Sequence, residues 1–94
     1  MDSAPIYLSL QWLTAEEGGR AQPPPGPEYK GIAQAEGVDE GWSVRLVFIG
    51  ATSRAEATFL VPEAAEQLGA TFWLVEGRRR VAQAQVVTPS LRPL

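Results

Sequence analysis

Glycine and proline cut this chain into pieces suited to short strands and single helical turns. Nine glycines and eight prolines are spread over 94 residues. Glycine interrupts regular structure through its conformational freedom, proline through its fixed φ and missing N–H. A long amphipathic helix needs an unbroken 3.6-residue pattern, and this punctuation leaves little room for one. The pieces in between alternate apolar and polar residues instead.

Ile6, Leu8, Leu10 and Trp12 alternate with Tyr7, Ser9, Gln11 and Leu13. That spacing predicts a half-buried strand with the first set inward, ended at Gly18-Gly19. Glu28 to Gln34 is expected to be a short strand with Tyr29 and Ile32 as its bulky residues. After a turn at Gly37–Gly41, Trp42 to Ile49 is the clearest strand, with Trp42, Val44, Leu46 and Phe48 on one face and Gly50-Ala51 closing it. Ala55 to Val61 is the next strand, with Ala55, Ala57, Phe59 and Val61 inward. Ser53-Arg54-Ala55-Glu56 has the spacing of a helix capping box, but Thr58, Phe59 and Val61 favour a strand. Pro62 to Gly69 predicts one or two helical turns on a connection. Gly69–Val75 and Arg80–Thr88 are expected to pair as a hairpin across Glu76-Gly77-Arg78-Arg79. Pro23-Pro24-Pro25-Gly26-Pro27 makes Arg20 to Glu28 a stiff surface loop, and Ser90 to Leu94 a frayed tail. The expectation is one all-β domain over 1–94, ordered from about 6 to 88: a small six-stranded antiparallel barrel with one short helical turn.

Composition bears on chemistry. Apolar residues make up 45% of the chain, which suits a folded domain. The absence of Cys excludes disulfides, thiolate metal sites and a cysteine nucleophile, and the absence of His removes the side chain best suited to proton transfer near neutral pH. Glu16 and Glu17 are adjacent and point apart rather than converging as an acid–base pair. Lys30, the sole lysine, stands beside no serine in any nucleophile motif. Asp39-Glu40-Gly41 lacks the alternating oxygen ligands of a calcium loop, and no phosphate-cradling glycine loop occurs. The expectation is no catalytic residue, metal, cofactor or nucleotide. A net charge of −3 lacks the basic excess common in nucleic-acid domains. Met1–Pro5 does not read as a signal peptide, and no eighteen-residue apolar run suggests a membrane span. A soluble, cytoplasmic monomer is expected. Arg78-Arg79-Arg80 is the single basic cluster. Trp12, Trp42 and Trp73 are each expected in the core rather than as stacking platforms; Trp73, alternating with Phe72 and Leu74, is the one whose spacing also allows an outward place.

Two stretches carry more specific information. Leu13, Thr14, Glu17, Gly18, Gly19 and Arg20, followed by Tyr29 and Lys30, form the first; Pro62, Glu66, Gly69, Phe72, Glu76, Gly77, Arg79 and Val81, then Val86-Val87-Thr88, form the second. In this order and separation they resemble the third, C-terminal β-barrel domain of bacterial elongation factor Tu, from Ile6 to Thr88. The match is closest at the two turns. It needs two small insertions and lacks the family's Met-Pro-Gly-Asp-Asn segment at Gly50 to Arg54. The resemblance implies a six-stranded barrel, with Glu17, Gly18, Gly19 and Arg20 as a structural turn. In that family the domain contacts the T stem of aminoacyl-tRNA and packs on a GTPase domain, and no GTPase motif occurs here. Tyr29, Lys30, Glu76 and Gly77 are the positions that would inherit an RNA or partner contact, joined by Arg78, Arg79 and Arg80. The expected function is a non-enzymatic module that engages a protein partner linked to translation. The alternative is an RNA-binding protein that retains weak contact with the tRNA T stem.

Overall fold

Each alternating segment is a strand in the computed structural model, which describes residues 6–22, 24–61 and 63–87. In chain order these are β1 (Ile6–Trp12), β2 (Glu28–Gln34), β3 (Gly41–Ile49), β4 (Ala51–Phe59), β5 (Thr71–Glu76) and β6 (Arg79–Val87). A 3-10 turn spans Ala15–Glu17, and α1 spans Ala64–Leu68. The spatial order is β1-β4-β3-β2-β5-β6, with β6 paired back onto β1, so the sheet closes into a barrel. Every neighbouring pair is antiparallel. Closure satisfies backbone groups that an open sheet would expose at its edges.

Inward residues fill the barrel. Leu8, Leu46, Leu74 and Val81 are the largest wholly buried side chains, with Val44, Ala55, Ala57, Phe72 and Ala84 around them. Trp12, Tyr29 and Phe48 meet edge to face where β1 and β3 end and β2 begins, with centroids 5.4 and 6.2 Å apart. Such pairs contribute about 0.5–1.5 kcal/mol beyond their area burial. Towards the opposite end, Phe59 and Phe72 lie 6.1 Å apart, and α1 buries Ala64 and Leu68 in the same core.

The expected strands at β1, β2, β3, β5 and β6 fall within a residue or two of their observed bounds. Three expectations need correction. β4 starts at Ala51, four residues before the expected Ala55. The hairpin turns at Gly50, where Ala51 pairs with Ile49, and a register shift then leaves Thr52, Ser53 and Arg54 bulged out of the β3 ladder before Ala55 pairs with Phe48. Val61 is 40% exposed rather than inward, because the barrel strand stops at Phe59 and Leu60-Val61 belong to the connection towards α1. The proline loop is not wholly superficial: Pro24 is buried. The loop is tied to β3, where the Phe48 N–H donates to the Pro27 carbonyl at 2.9 Å. The expectations made for Met1–Pro5, Pro23, Pro62, Thr88 and the tail fall outside the described residues.

Candidate functional site

The first turn is built by its own side chains. The Thr14 N–H donates to Glu17 Oε1 at 2.8 Å, and the Glu17 N–H donates to Thr14 Oγ1 at 3.3 Å, a reciprocal capping box on the 3-10 turn. Gly18 then takes φ +89°, in the left-handed region. Gly19 is buried, and a Cβ there would overlap the Leu13 carbonyl. The Arg20 N–H donates to that carbonyl at 3.0 Å. This folds the chain back over the end of β1 and directs the Arg20 side chain towards the end of β5.

There Arg20 meets Glu76. Arg20 Nη1 lies 2.5 Å from Glu76 Oε2, and the Tyr29 hydroxyl donates to the same oxygen at 2.7 Å. Arg20 Nε also donates to the Gln22 carbonyl at 2.9 Å. Tyr29 is 9% exposed. Its ring covers Gly31, where a Cβ would sit 2.7 Å from the ring, so glycine at 31 makes room for the reach to Glu76. Partial burial alone would raise the Glu76 pKa. The hydrogen bonds from Tyr29 and Arg20, with the charges of Arg20 and Arg79, outweigh it and hold the carboxyl below its usual range. Burial, then the bond and charge of Glu76, push the Tyr29 hydroxyl well above its ordinary value. A depressed carboxylate locked to a cation and a phenol is a poor general acid or base near neutral pH. It is well suited to pinning two loops together. A groove of about 520 Å³ lies beside it, lined by Arg20, Gln22, Pro25, Glu76 and Arg79 among others.

The structure separates the three arginines of the β5–β6 hairpin. Gly77 has φ +65° and, with Arg78, forms the two-residue loop between the paired Glu76 and Arg79. Arg78 is exposed and has no ion pair among the described residues. Arg79 Nη2 stands 3.8 Å from Glu76 Oε1. Arg80 lies on the outer face of the sheet, 4.4 Å above the Trp73 ring centroid, and pairs with Glu36 at 3.3 Å. The indole N–H of Trp73 donates to the other Glu36 oxygen at 2.8 Å. That bond first, then Arg80, depresses the Glu36 pKa. Trp73, expected in the core, instead faces outward, half-buried beneath Arg80, because alternation with the buried Phe72 and Leu74 puts it on the other face of β5.

Lys30, alone of the inherited positions, leads to a surface the sequence did not indicate. Across β2, β3 and β4, Lys30 pairs with Arg45 and Arg45 with Thr58, forming one outward row. Ile32 pairs with Ser43, and the Leu60 N–H donates to the Ser43 carbonyl at 3.1 Å, forming a second row. Between them, Gly31, Val44 and Phe59 form the floor of a groove of about 580 Å³ lined by both rows. Ile32 is 37% exposed and Leu60 78%. Arg45 forms an ion pair with Glu28, whose carboxyl it holds below the usual range, with Lys30 adding a smaller effect. Arg45, Ser43 and Leu60 were missed because register, not sequence, places them beside Lys30. The outward period-two set of the Glu28–Gln34 and Trp42–Ile49 strands is the signal that would have found the first two.

Among the described residues, no three acidic side chains are grouped to hold a metal ion, and no helix is long and apolar enough to cross a membrane. Fold and surface together define a small closed barrel with paired rim charges and, among the described residues, an apolar groove over β2, β3 and β4. Comparison with protein-family models, curated proteins and solved structures finds no match.

Proposed function

We propose that this chain is a non-enzymatic binding module, similar to the third barrel of elongation factor Tu, that engages a protein partner linked to translation. The observation that carries this reading is the groove over β2, β3 and β4. It brings exposed Ile32 and Leu60 to one groove, whereas Val38, Ile49 and Val86 are exposed without lining it, and an exposed apolar patch rimmed by polar residues is a feature of protein interaction sites. Arg20, Tyr29 and Glu76 come from both resembling stretches and meet at one carboxylate, so those motif residues have a structural reason to occur together. Within this reading the module is cytoplasmic, acts without nucleotide or cofactor, and is a monomer.

The alternative, weak contact with the T stem of tRNA, draws on Arg78 and Lys30, which are exposed and have no ion pair among the described residues. Even with Arg54, likewise exposed and without an ion pair among the described residues, so few cations support little affinity, because phosphate binding scales with the number of contacts. Capture of partners by the full chain from cell extract, with and without ribonuclease, tests the choice. The module reading expects a discrete protein that survives ribonuclease. Recovery of RNA alone, lost on digestion, would overturn it in favour of the alternative.

A further inference from the structure

The groove has two unlike walls, and that asymmetry specifies its occupant. One wall is the row Lys30–Arg45–Thr58; the other is the row Ile32–Ser43–Leu60. Residues two apart on a strand are about 7 Å apart, and three adjacent strands span about 10 Å centre to centre. The channel therefore crosses the strands and has the width of one extended chain. Its length fits about three residues.

The cationic wall is unusual for this chain. Lys30 and Arg45 stand directly opposite each other across β2 and β3. Like charges in that position destabilise a sheet unless an anion lies between or beside them. Glu28 satisfies Arg45, but no ion pair to Lys30 occurs among the described residues. The chain as a whole is acidic, so two cations facing each other beside an apolar wall favour an anionic, partly apolar guest.

Resting on the protein-partner reading above, we propose that this groove binds a short extended segment of the partner in which apolar and acidic residues alternate. Side chains of an extended chain point to opposite sides in turn. Laid across the strands, three such residues in the order apolar, acidic, apolar present one carboxylate to Lys30 and Arg45 and two apolar side chains to Ile32 and Leu60. Both walls are satisfied at once. A uniformly charged guest leaves the Ile32–Leu60 wall uncovered, and a wholly apolar one leaves the lysine without a counter-ion.

The test uses the full chain labelled with nitrogen-15 and three end-blocked hexapeptides, alternating Leu with Glu, Leu with Gln, and Leu with Lys. The Leu-Glu peptide is expected to shift the amides of Lys30–Ile32, Ser43–Arg45 and Thr58–Leu60. The Leu-Gln peptide should bind at least tenfold more weakly, and the Leu-Lys peptide should give no saturable shift. Lys30→Glu and Leu60→Ser, both at exposed positions, should each weaken Leu-Glu binding at least tenfold while the rest of the spectrum stays native. Equal binding of all three peptides, shifts confined to another face, or no shift at all would overturn the proposal. If the partner captured from extract survives ribonuclease but is held undiminished by both variants, the groove assignment fails and the module reading stands. If only RNA is captured while the Leu-Glu peptide still binds as described, the module reading fails and the groove assignment stands.

Discussion

At Glu76 one carboxylate oxygen accepts from both Arg20 and Tyr29, and the consequences are measurable residue by residue. Tyr29→Phe removes a bond to a charged, partly buried group. Such bonds contribute about 1.5–3 kcal/mol, and the exposure of the rim favours the low end. A domain of this size should lose about 4–8 °C of Tm per kcal/mol. The pH dependence has a definite sign. The Tyr29 pKa is raised by folding, so its contribution is intact below the ordinary tyrosine value of about 10 and is lost as pH rises beyond it. Thermal melts between pH 9 and 12 should show an alkaline loss in the wild type that Tyr29→Phe reduces. The Glu76 pKa is lowered by folding, so its contribution is intact above the ordinary glutamate value of about 4.3 and is lost as pH falls further. Glu76→Gln should flatten the acid side of the same profile without abolishing it, since Glu28 and Glu36 are also depressed. The glycines separate two causes. Gly18→Ala meets only the positive φ and should cost about 1 kcal/mol. Gly19→Ala meets the Leu13 backbone and should cost more, as comparative denaturant melts would register. None of this partnership was legible beforehand. Arg20 and Glu76 are 56 residues apart, and only the closing of the barrel brings them together.

Among the elements, the β5–β6 hairpin divides its arginines by function. Arg78 at the loop has no ion pair among the described residues, whereas Arg80 shields Trp73 and holds Glu36. Arg78→Ala should leave Tm unchanged. Arg80→Ala should lower it, through the loss of about 0.5–1 kcal/mol of stacking free energy, and should shift the tryptophan emission to the red as the Trp73 ring meets water. An unchanged emission spectrum would contradict the stacking. Strand identity was legible where alternation was clean, as in Ile6–Trp12 and Trp42–Ile49. It was not legible at Ala51–Arg54, where the residues carry no apolar period and tertiary pairing alone, of Ala51 with Ile49 on β3 and of Arg54 with Ser9 on β1, makes them part of a strand. The capping box at Thr14–Glu17 was present in the sequence as Thr-x-x-Glu. The same spacing at Ser53–Glu56 lies within β4 and caps nothing. Local spacing of this kind permits a cap but does not require one.

For the whole molecule, six strands closed into one barrel were readable from the rhythm of apolar alternation and Gly–Pro breaks, because closure is how a short antiparallel sheet avoids exposed edges. The groove was not readable, because it arises from register across three strands. Closure predicts that slowly exchanging amides fall in all six strands, with α1 too short to add a protected block; a fast-exchanging β1 or β6 would contradict the seam between them. GTP with magnesium should leave Tm and tryptophan fluorescence unchanged, and a saturable shift at micromolar GTP would count against the module. The central claim is that this barrel recognises protein rather than RNA. Its most direct test is the affinity of the wild type and the Arg78→Ala/Arg80→Ala variant for bulk tRNA at two salt concentrations. The account predicts weak wild-type binding that vanishes at the higher salt and is weakened further by the double substitution, since few phosphate contacts are available to release counter-ions. Tight tRNA binding that withstands the higher salt would contradict it.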